Sequence, residues 1–559
     1  MSRVAAIGLD AFEWWFARRL MDAGRMPHLR ALTEQSAVVE LENVVENRSE
    51  IAWVQLLTGQ GAAELKWPGQ LRFDPLDYRP FGHGTLDPIT PFYQGIKRKT
   101  IAFDVMHATV APDVEGVQVT AWGAHSPQYW RASDPAGLLT EVDRRFGTNP
   151  AFGNDSELCW YEPDYIDNLA DAAMVGTKRR VDIIEWLTAE HLDWDLLITC
   201  MSEIHGLGHN FWHGVDATHP LHETAATTAL AKQRMEDVCV ETDRALGRFL
   251  DLLPEDATVV VFSLHGMQPA DDLPASVLLP ELLHRQHVGQ PALRSPDVDG
   301  WRSAGCPPVD PGRHQTWHGY MRRRFTAGPR DRLRHAINRM PSPIYQMGRR
   351  VAGKEPANPL GPLYGASPAE TDLSAGSPEW NEAFDWHPAI WYRRWWSNMP
   401  WFSLPTFDHS YIRVNLEGRE RDGIVPADDY DRACAEAEAA VRGCRDARTG
   451  DPVVADVTRL RESDPRDPDA PAGDLLVQWA SGADAIEHPD HGVIGPFPHL
   501  RTGSHSSNGF ALVRGKNIAP GPQPRRSALD LTPTILDLLG CPIPPNMVGF
   551  PIHFVGATE

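Results

Sequence analysis

The sequence predicts an α/β fold whose mainly parallel central sheet is flanked by helices. Short and almost uninterrupted apolar runs are the first observation, because strands buried on both faces of a parallel sheet have this pattern. These runs lie at residues 3–9, 195–201, 258–263, 474–480 and 509–514. Segments with helical apolar spacing are the second observation, and they lie at residues 12–35, 170–191 and 224–253. Alternating strands and helices are typical of this fold class.

Polar side chains follow three of the predicted strands. Asp10 follows the first strand, His205 lies shortly after the second, and His265 follows the third. In open α/β sheets, ligands bind beyond the carboxyl ends of the strands. We therefore expect a functional site where these three residues meet.

The composition limits the classes of partner. The 559 residues include 53 Lys and Arg against 75 Asp and Glu, which gives a formal net charge of −22. Such a chain has no overall positive field, so we expect no nucleic acid as a bulk partner. No apolar run approaches the ~20 residues of a membrane span, so we expect no membrane partner. Seven scattered cysteines without a CxxC pair, and no recognisable secretory signal, indicate a cytoplasmic protein.

The middle of the chain has a different composition and is predicted to be an insertion. Residues 267–401 are rich in Trp, Arg and Pro, and six tryptophans lie from 380 to 401. We predict a cap or lid here, and an α/β core formed by residues 1–266 and 402–559. The tryptophans favour an aromatic core within the cap over a wall that stacks on a ligand.

A pair of histidines points to a metal site. His205 and His209 lie four residues apart, so on a helix both side chains face one ion. The spacing alone is weak evidence in a chain with 23 histidines, and His209/His213 and His314/His318 repeat it. The order of the surrounding segments therefore has to decide whether these histidines form a metal site or match the spacing by chance.

Five segments together resemble the alkaline phosphatase superfamily, in its type I phosphodiesterase/nucleotide pyrophosphatase branch. They follow the order of that family and lie at residues 6–32, 48–59, 202–213, 262–267 and 503–515. A family-like tail follows at 529–552. The resemblance implies an alkaline-phosphatase-like sheet and two metal ions that support in-line displacement at phosphorus or sulfur.

The resemblance also implies roles for individual residues. Ser49, which lies four residues before Trp53, stands in the position of the nucleophile. Arg48, beside it, and His125 are candidates for binding the substrate, although a surface salt bridge would explain Arg48 equally well. The expected metal ligands are His205, His209 and His505 for one ion, and Asp10 and His265, with Ser49, for the other.

Two positions depart from the family pattern. His205 and Leu264 stand where the family has aspartates. Three histidines still bind Zn(II) or Fe(II) and leave coordination positions open, so we expect the ion at His205, His209 and His505 to be retained. The second site has lost a carboxylate. We therefore expect one or two divalent ions, zinc first, with iron or manganese as alternatives.

Each candidate also has a simpler structural explanation. Asp10 and Ser49 are placed to cap helices, and His209 lies among apolar residues as a core histidine does. His265 precedes a glycine as a turn residue does, and His505 lies between serines as in a surface loop. Their joint order favours the site.

We expect a metal-dependent hydrolase of phosphate esters, of the phosphodiesterase or pyrophosphatase type, acting on a small molecule with Ser49 as nucleophile. One alternative is a repurposed enzyme with a single ion at three histidines, performing group transfer or iron-dependent chemistry. Another is a non-catalytic binding protein. A sulfatase is disfavoured, because Glu50-Ile51-Ala52 follows Ser49 where sulfatases have x-Pro-x-Arg.

Overall fold

A ten-stranded sheet forms the centre of the molecule. The computed structural model describes residues 3–43, 51–61, 64–65, 71–82, 89–123, 131–151, 159–312, 316–326, 328, 370, 387–406, 409–461, 464–468 and 470–554. The order across the sheet is Gly521–Pro522, Ala37–Glu42, Asn508–Arg514, Thr258–Ser263, Val4–Leu9, Leu196–Met201, Thr100–Phe103, Gly116–Thr120 and Ala132–Asp134. The tenth strand, Arg526–Ser527, also pairs with Ala37–Glu42.

The centre of this sheet is parallel, as predicted. Val4–Leu9 pairs in parallel with Leu196–Met201 on one side and with Thr258–Ser263 on the other. Antiparallel pairing is introduced by Asn508–Arg514, and at the far edge by Ala132–Asp134. Because the three central strands are parallel, their carboxyl ends lie at the same edge of the sheet.

Both faces of the central strand are buried, which explains its uninterrupted apolar run. Ala5, Ile7 and Leu9 pack into one apolar cluster. Val4 and Ala6 pack into a second cluster on the opposite face. Alternate side chains of a strand point to opposite faces, so each face has to be covered by apolar elements.

Helices cover both faces. In the described part of the chain the α-helices are Trp14–Asp22, Pro27–Glu34, Ala52–Thr58, Leu138–Phe146, Pro163–Glu190, Glu203–Val215, Thr228–Asp251, Leu279–Val288, Val298–Ser303, Trp317–Arg324, Arg393–Trp396, Tyr430–Arg442 and Leu531–Leu538. The predicted helical region 12–35 forms two of these helices. The break has a local cause, since Gly24 adopts φ +70° and Pro27 opens the next helix.

A second apolar core lies under a four-stranded antiparallel sheet. Its strands, in spatial order, are Trp401–Ser403, Ser410–Val414, Leu475–Trp479 and Val454–Arg459. The predicted strand at 474–480 therefore exists, but it belongs to this sheet. Trp396 stacks on Phe402, with ring centroids 4.7 Å apart, and both side chains are buried in the second core. This core takes residues from both sides of the predicted boundary at 401, and the division into core and cap remains a prediction.

The remaining strands in the described residues form three small sheets. These are the pairs Leu71–Asp74 with Arg79–Gly82 and Gly266–Pro269 with Gly503–Ser506, and the triple Arg445–Asp446, Ile486–His488 and Gly492–Ile494. All seven cysteines are free. Among the described helices, none combines the length and the apolarity that a membrane crossing requires.

Candidate functional site

Asp10 lies at the carboxyl end of the central strand and is almost completely buried. Its backbone N–H donates to Met201 O at 3.1 Å, which extends the strand pairing to this residue. Its side chain is 1% exposed. Trp53 Nε1, from the helix Ala52–Thr58, donates to Asp10 Oδ1 at 2.7 Å. A buried carboxylate requires such donors, because burial removes the hydrogen bonds that water would donate to it.

His205 and His209 lie on the helix Glu203–Val215, which starts just after the neighbouring strand ends. Their Nε2 atoms lie 2.8 Å apart. Residues four apart lie on one face of a helix, so the two rings occupy adjacent turns. Every residue of this helix is buried, which holds the rings in the interior.

A two-stranded antiparallel sheet brings the remaining histidines to the same place. Gly266–Pro269 pairs antiparallel with Gly503–Ser506, and Met267 lies opposite His505. His505 Nε2 lies 2.7 Å from His205 Nε2. His265 immediately precedes the first of these strands, and its ring centroid lies 4.4 Å from that of His505. The structure thus brings together the five predicted metal ligands that it describes.

Hydrogen bonds to the outer nitrogens fix the tautomers of two histidines. His205 Nδ1 lies 2.6 Å from Asp10 Oδ2, and His209 Nδ1 lies 2.8 Å from Gly503 O. A carboxylate and a carbonyl can only accept, so Nδ1 is the protonated nitrogen in both rings. The Nε2 lone pairs of His205 and His209 therefore face each other across 2.8 Å.

This arrangement fits a metal ion. Burial and the neighbouring His265, His205 and His209 hold the pKa of His505 well below its usual value of 6.5. An additional proton at neutral pH is therefore unfavourable, and a divalent cation is the natural partner of converging imidazole lone pairs. In the described part of the chain, His205, His209 and His505 are the one group of three whose ligand atoms all lie within 4.8 Å of one another.

The other predicted ion position has a weaker set of ligands. His265 Nε2 lies 3.6 Å from Asp10 Oδ1. Leu264, at the position where the resemblance predicts an aspartate, is 2% exposed and packs in an apolar cluster with Trp53 and Phe262. This position therefore belongs to the hydrophobic core and offers no carboxylate to an ion.

The family assignment follows from a comparison with protein-family models. The model described as type I phosphodiesterase/nucleotide pyrophosphatase matches residues 4–311, more than half of the chain. The chain belongs to this family. Family members are phosphoester hydrolases, as the name states, so membership supports an enzyme of this class. The matched residues contain Asp10, His205, His209 and His265, and His505 lies beyond them.

Solved structures that match the chain include the following two. Phosphonoacetate hydrolase from Sinorhizobium meliloti 1021, in complex with phosphonoformate, is 13% identical, with 96% of this chain and 95% of that chain covered and a TM-score of 0.45. Human ectonucleotide pyrophosphatase/phosphodiesterase 5 is 11% identical, with 98% and 97% covered and a TM-score of 0.43. No curated protein matches the chain in sequence.

Three predicted residues of the family site lie outside the described residues. They are the nucleophile candidate Ser49 and the substrate-binding candidates Arg48 and His125. Their roles remain predictions.

Sequence reasoning missed a buried ion network beneath the helix that bears His205 and His209. Arg180 is fully buried, and its guanidinium lies 2.8 Å from Asp104 Oδ2 and 2.9 Å from Glu203 Oε1. Glu203 is in the first turn of that helix. A signal was present, because Arg180 interrupts the apolar face of its own helix, Pro163–Glu190.

Arg501 was also missed, although it lies beside a predicted ligand. Its Nη1 is 3.4 Å from His209 Nδ1, and its Nε is 3.1 Å from the buried carboxylate of Asp272. It contacts the side of the His209 ring that faces away from the other histidines. No sequence pattern pairs residues that lie 292 positions apart.

Proposed function

We propose that this protein is a metal-dependent phosphoester hydrolase of the phosphodiesterase or pyrophosphatase type, acting on a small molecule. The observation that carries the proposal is the convergence of three buried Nε2 atoms, with His205 Nε2 2.8 Å from that of His209 and 2.7 Å from that of His505. Membership of the phosphodiesterase family supports the reaction class. The position of the cluster beyond parallel strand ends is where such folds bind ligands.

The divalent ion would be held by His205, His209 and His505. When bound there, it would supply a Lewis acid for a phosphoryl oxygen. The chain itself supplies the ligand geometry, because Asp10 and the Gly503 carbonyl hold two of the three rings from behind. Zinc is the first candidate for a site of neutral imidazoles, and iron or manganese is the alternative.

Ser49 is proposed as the nucleophile on the strength of the family resemblance. Its Oγ would form a bond to phosphorus as the bond to the leaving alcohol oxygen breaks, and the Oγ proton would end on that alcohol. Water would then attack phosphorus in the resulting serine phosphodiester, which releases a phosphate monoester and restores the serine hydroxyl. Arg48 and His125 are proposed to contact the substrate. A cytoplasmic location is proposed from the acidic, cysteine-poor sequence.

A second candidate function is supported by Leu264. Without a carboxylate at this position, a second ion has fewer ligands, and a two-ion mechanism loses a component. A single-ion enzyme that catalyses group transfer or iron-dependent chemistry is therefore the alternative proposal.

A comparison of Ser49→Ala with wild type tests the first proposal. We expect Ser49→Ala to lose at least about 10³-fold in turnover of bis(4-nitrophenyl) phosphate while it retains its metal. Ser303→Ala, at an exposed helix end, is the matched control and should keep wild-type turnover. Retained turnover in Ser49→Ala would contradict the nucleophile, and a metal-free active wild type would contradict metal dependence.

A further inference from the structure

Asp10 holds the ring of His205 from behind. The Asp10 Oδ2 to His205 Nδ1 distance is 2.6 Å, which is short for a hydrogen bond between nitrogen and oxygen. Both side chains are almost completely buried, at 1% and 3% exposure. Such a bond is strong in a water-poor interior, and it determines which ring nitrogen carries the proton.

The second oxygen of Asp10 is also in use. Trp53 Nε1 donates to Oδ1 at 2.7 Å. The carboxylate therefore bridges two N–H donors, one on the indole and one on the imidazole. This geometry is that of a residue that orients neighbouring side chains. It differs from that of a carboxylate whose oxygen points at a metal ion.

The ligands that would accompany Asp10 around a second ion are few. Leu264 contributes a methyl-bearing side chain to the apolar cluster. His265 Nε2 lies 3.6 Å from Asp10 Oδ1, and Ser49, the remaining ligand that the resemblance implies, lies outside the described residues. Zinc sites commonly have three or four protein ligands, and here Leu264 supplies none while both oxygens of Asp10 accept hydrogen bonds from side chains.

We infer that Asp10 orients His205 at a centre with one ion, and that it does not ligate a second ion. The replacement of an aspartate by His205 gives this carboxylate a new partner, and the carboxylate in turn increases the basicity of the imidazole. Asp10 is then a positioning residue. The inference rests on the proposed function, because it requires an ion at the three histidines.

The variant Asp10→Asn provides a sharp test, because an amide has only one acceptor group. Asp10 receives hydrogen bonds from two N–H donors, His205 Nδ1 and Trp53 Nε1. In Asp10→Asn, one of these donors must face the amide NH₂. We expect one equivalent of zinc in wild type and variant alike, with affinity about 10- to 100-fold weaker in the variant, as is typical for loss of such support.

A second substitution should restore the affinity. Trp53→Phe removes the competing donor, so in Asp10→Asn/Trp53→Phe the amide oxygen is free to accept from His205 Nδ1. We expect the double variant to bind zinc more tightly than Asp10→Asn. Trp53→Phe alone is the matched control and should remain within a few-fold of wild type, because the bond between Asp10 and His205 persists in it.

The measurements are metal stoichiometry by elemental analysis and the zinc dissociation constant by competition with a chelator. Unfolding temperatures of the apo forms check that all variants fold. The visible spectrum of the cobalt(II) forms should keep its band intensity in Asp10→Asn, because the ligands themselves are unchanged.

Three results would each contradict a different claim, so they can be distinguished from one another. Two equivalents in wild type that fall to one in Asp10→Asn would make Asp10 a ligand of a second ion and refute the inference alone. Unchanged zinc affinity in Asp10→Ala, which removes both acceptor oxygens, would refute the positioning role. A wild type that binds no metal would refute the proposed function itself.

Discussion

His205 and His209 point their Nε2 atoms at each other across 2.8 Å, one helical turn apart. Each ring donates from Nδ1 to a fixed acceptor, Asp10 for one and the Gly503 carbonyl for the other. Two imidazole nitrogens held this close require a proton or a metal ion between them, and the three converging Nε2 atoms suit a metal ion.

The first prediction concerns His209, which both the sequence pattern and the geometry indicate as a metal ligand. His209→Ala removes one of three nitrogens, and we expect zinc affinity to fall by more than about 100-fold, a larger effect than loss of a supporting residue. Chelator competition measures it. His191→Ala, at the end of the helix Pro163–Glu190, is the control and should bind zinc as wild type does. Equal affinity in His209→Ala would remove this histidine from the centre.

A second prediction tests why the other ion position is weak. Leu264→Asp buries a carboxylate in an apolar cluster, and we expect it to destabilise the apo protein by several kcal/mol, about the cost of burying an unpaired charge. With excess zinc or manganese, the stoichiometry should rise toward two equivalents, phosphodiesterase activity should increase, and part of the stability should return. Leu264→Asn has the same shape without the charge and should gain no ion. No gain in Leu264→Asp would show that the missing carboxylate does not limit the site.

Buried histidines away from the centre should make the protein acid-sensitive. Burial, followed by neighbouring histidines, lowers the pKa of His213 and His219 to about 3 each. Burial and then Arg448 lower that of His499 to about 4. The unfolded chain therefore binds more protons than the native one below pH ~6.5, so stability is present above this pH and is lost as the pH falls toward these values.

The expected slope is up to about 1.4 kcal/mol per pH unit for each such histidine. Urea unfolding of the apo protein at pH 7.5, 6 and 5 measures it. In His499→Gln, the free energy of unfolding should depend less steeply on pH by the contribution of one histidine, because this variant lacks one titrating site. A free energy of unfolding that stays constant from pH 7.5 to 5 would contradict the depressed pKa values.

The ion network under the histidine helix should matter for both stability and binding. Arg180→Met leaves Asp104 and Glu203 buried without their partner, which costs about 3–5 kcal/mol. Because Glu203 begins the helix that bears two of the proposed ligands, zinc affinity should fall as well. Arg179→Met, which removes a bond to the Thr148 carbonyl, is the neighbouring control.

Neutralising the two carboxylates should show how much of the lost stability is due to unpaired charge and how much is due to lost packing. In Arg180→Met/Asp104→Asn/Glu203→Gln no buried charge is left unpaired, and we expect part of the stability to return. An Arg180→Met protein as stable as wild type would contradict the network's role.

The fold class could be predicted because it is encoded in local patterns. The apolar run that ends before Asp10 requires burial on both faces, and the structure confirms the mainly parallel sheet that this implies. The region 12–35 was predicted as helical without its break, since the effect of Gly24 on the path of the chain depends on a backbone angle that the pattern does not specify.

The site could be predicted only in part, and for a physical reason. Strand ends meet at one edge of a parallel sheet, which is why Asp10, His205 and His265 come together. Side-chain directions depend on long-range packing, and the bond between Asp10 and His205 joins residues 195 positions apart. The sequence relates Trp53 only to Ser49, four residues before it, yet Trp53 contacts Asp10 directly.

Metal content is the most direct test of the central claim, that His205, His209 and His505 hold a divalent ion. Wild type and His205→Ala would be purified in parallel after expression with zinc, iron and manganese offered separately, and each would be analysed for metal. We predict one equivalent of a single metal in wild type and none in His205→Ala. Wild-type protein without metal under all three conditions, or equal metal in both proteins, would contradict the account.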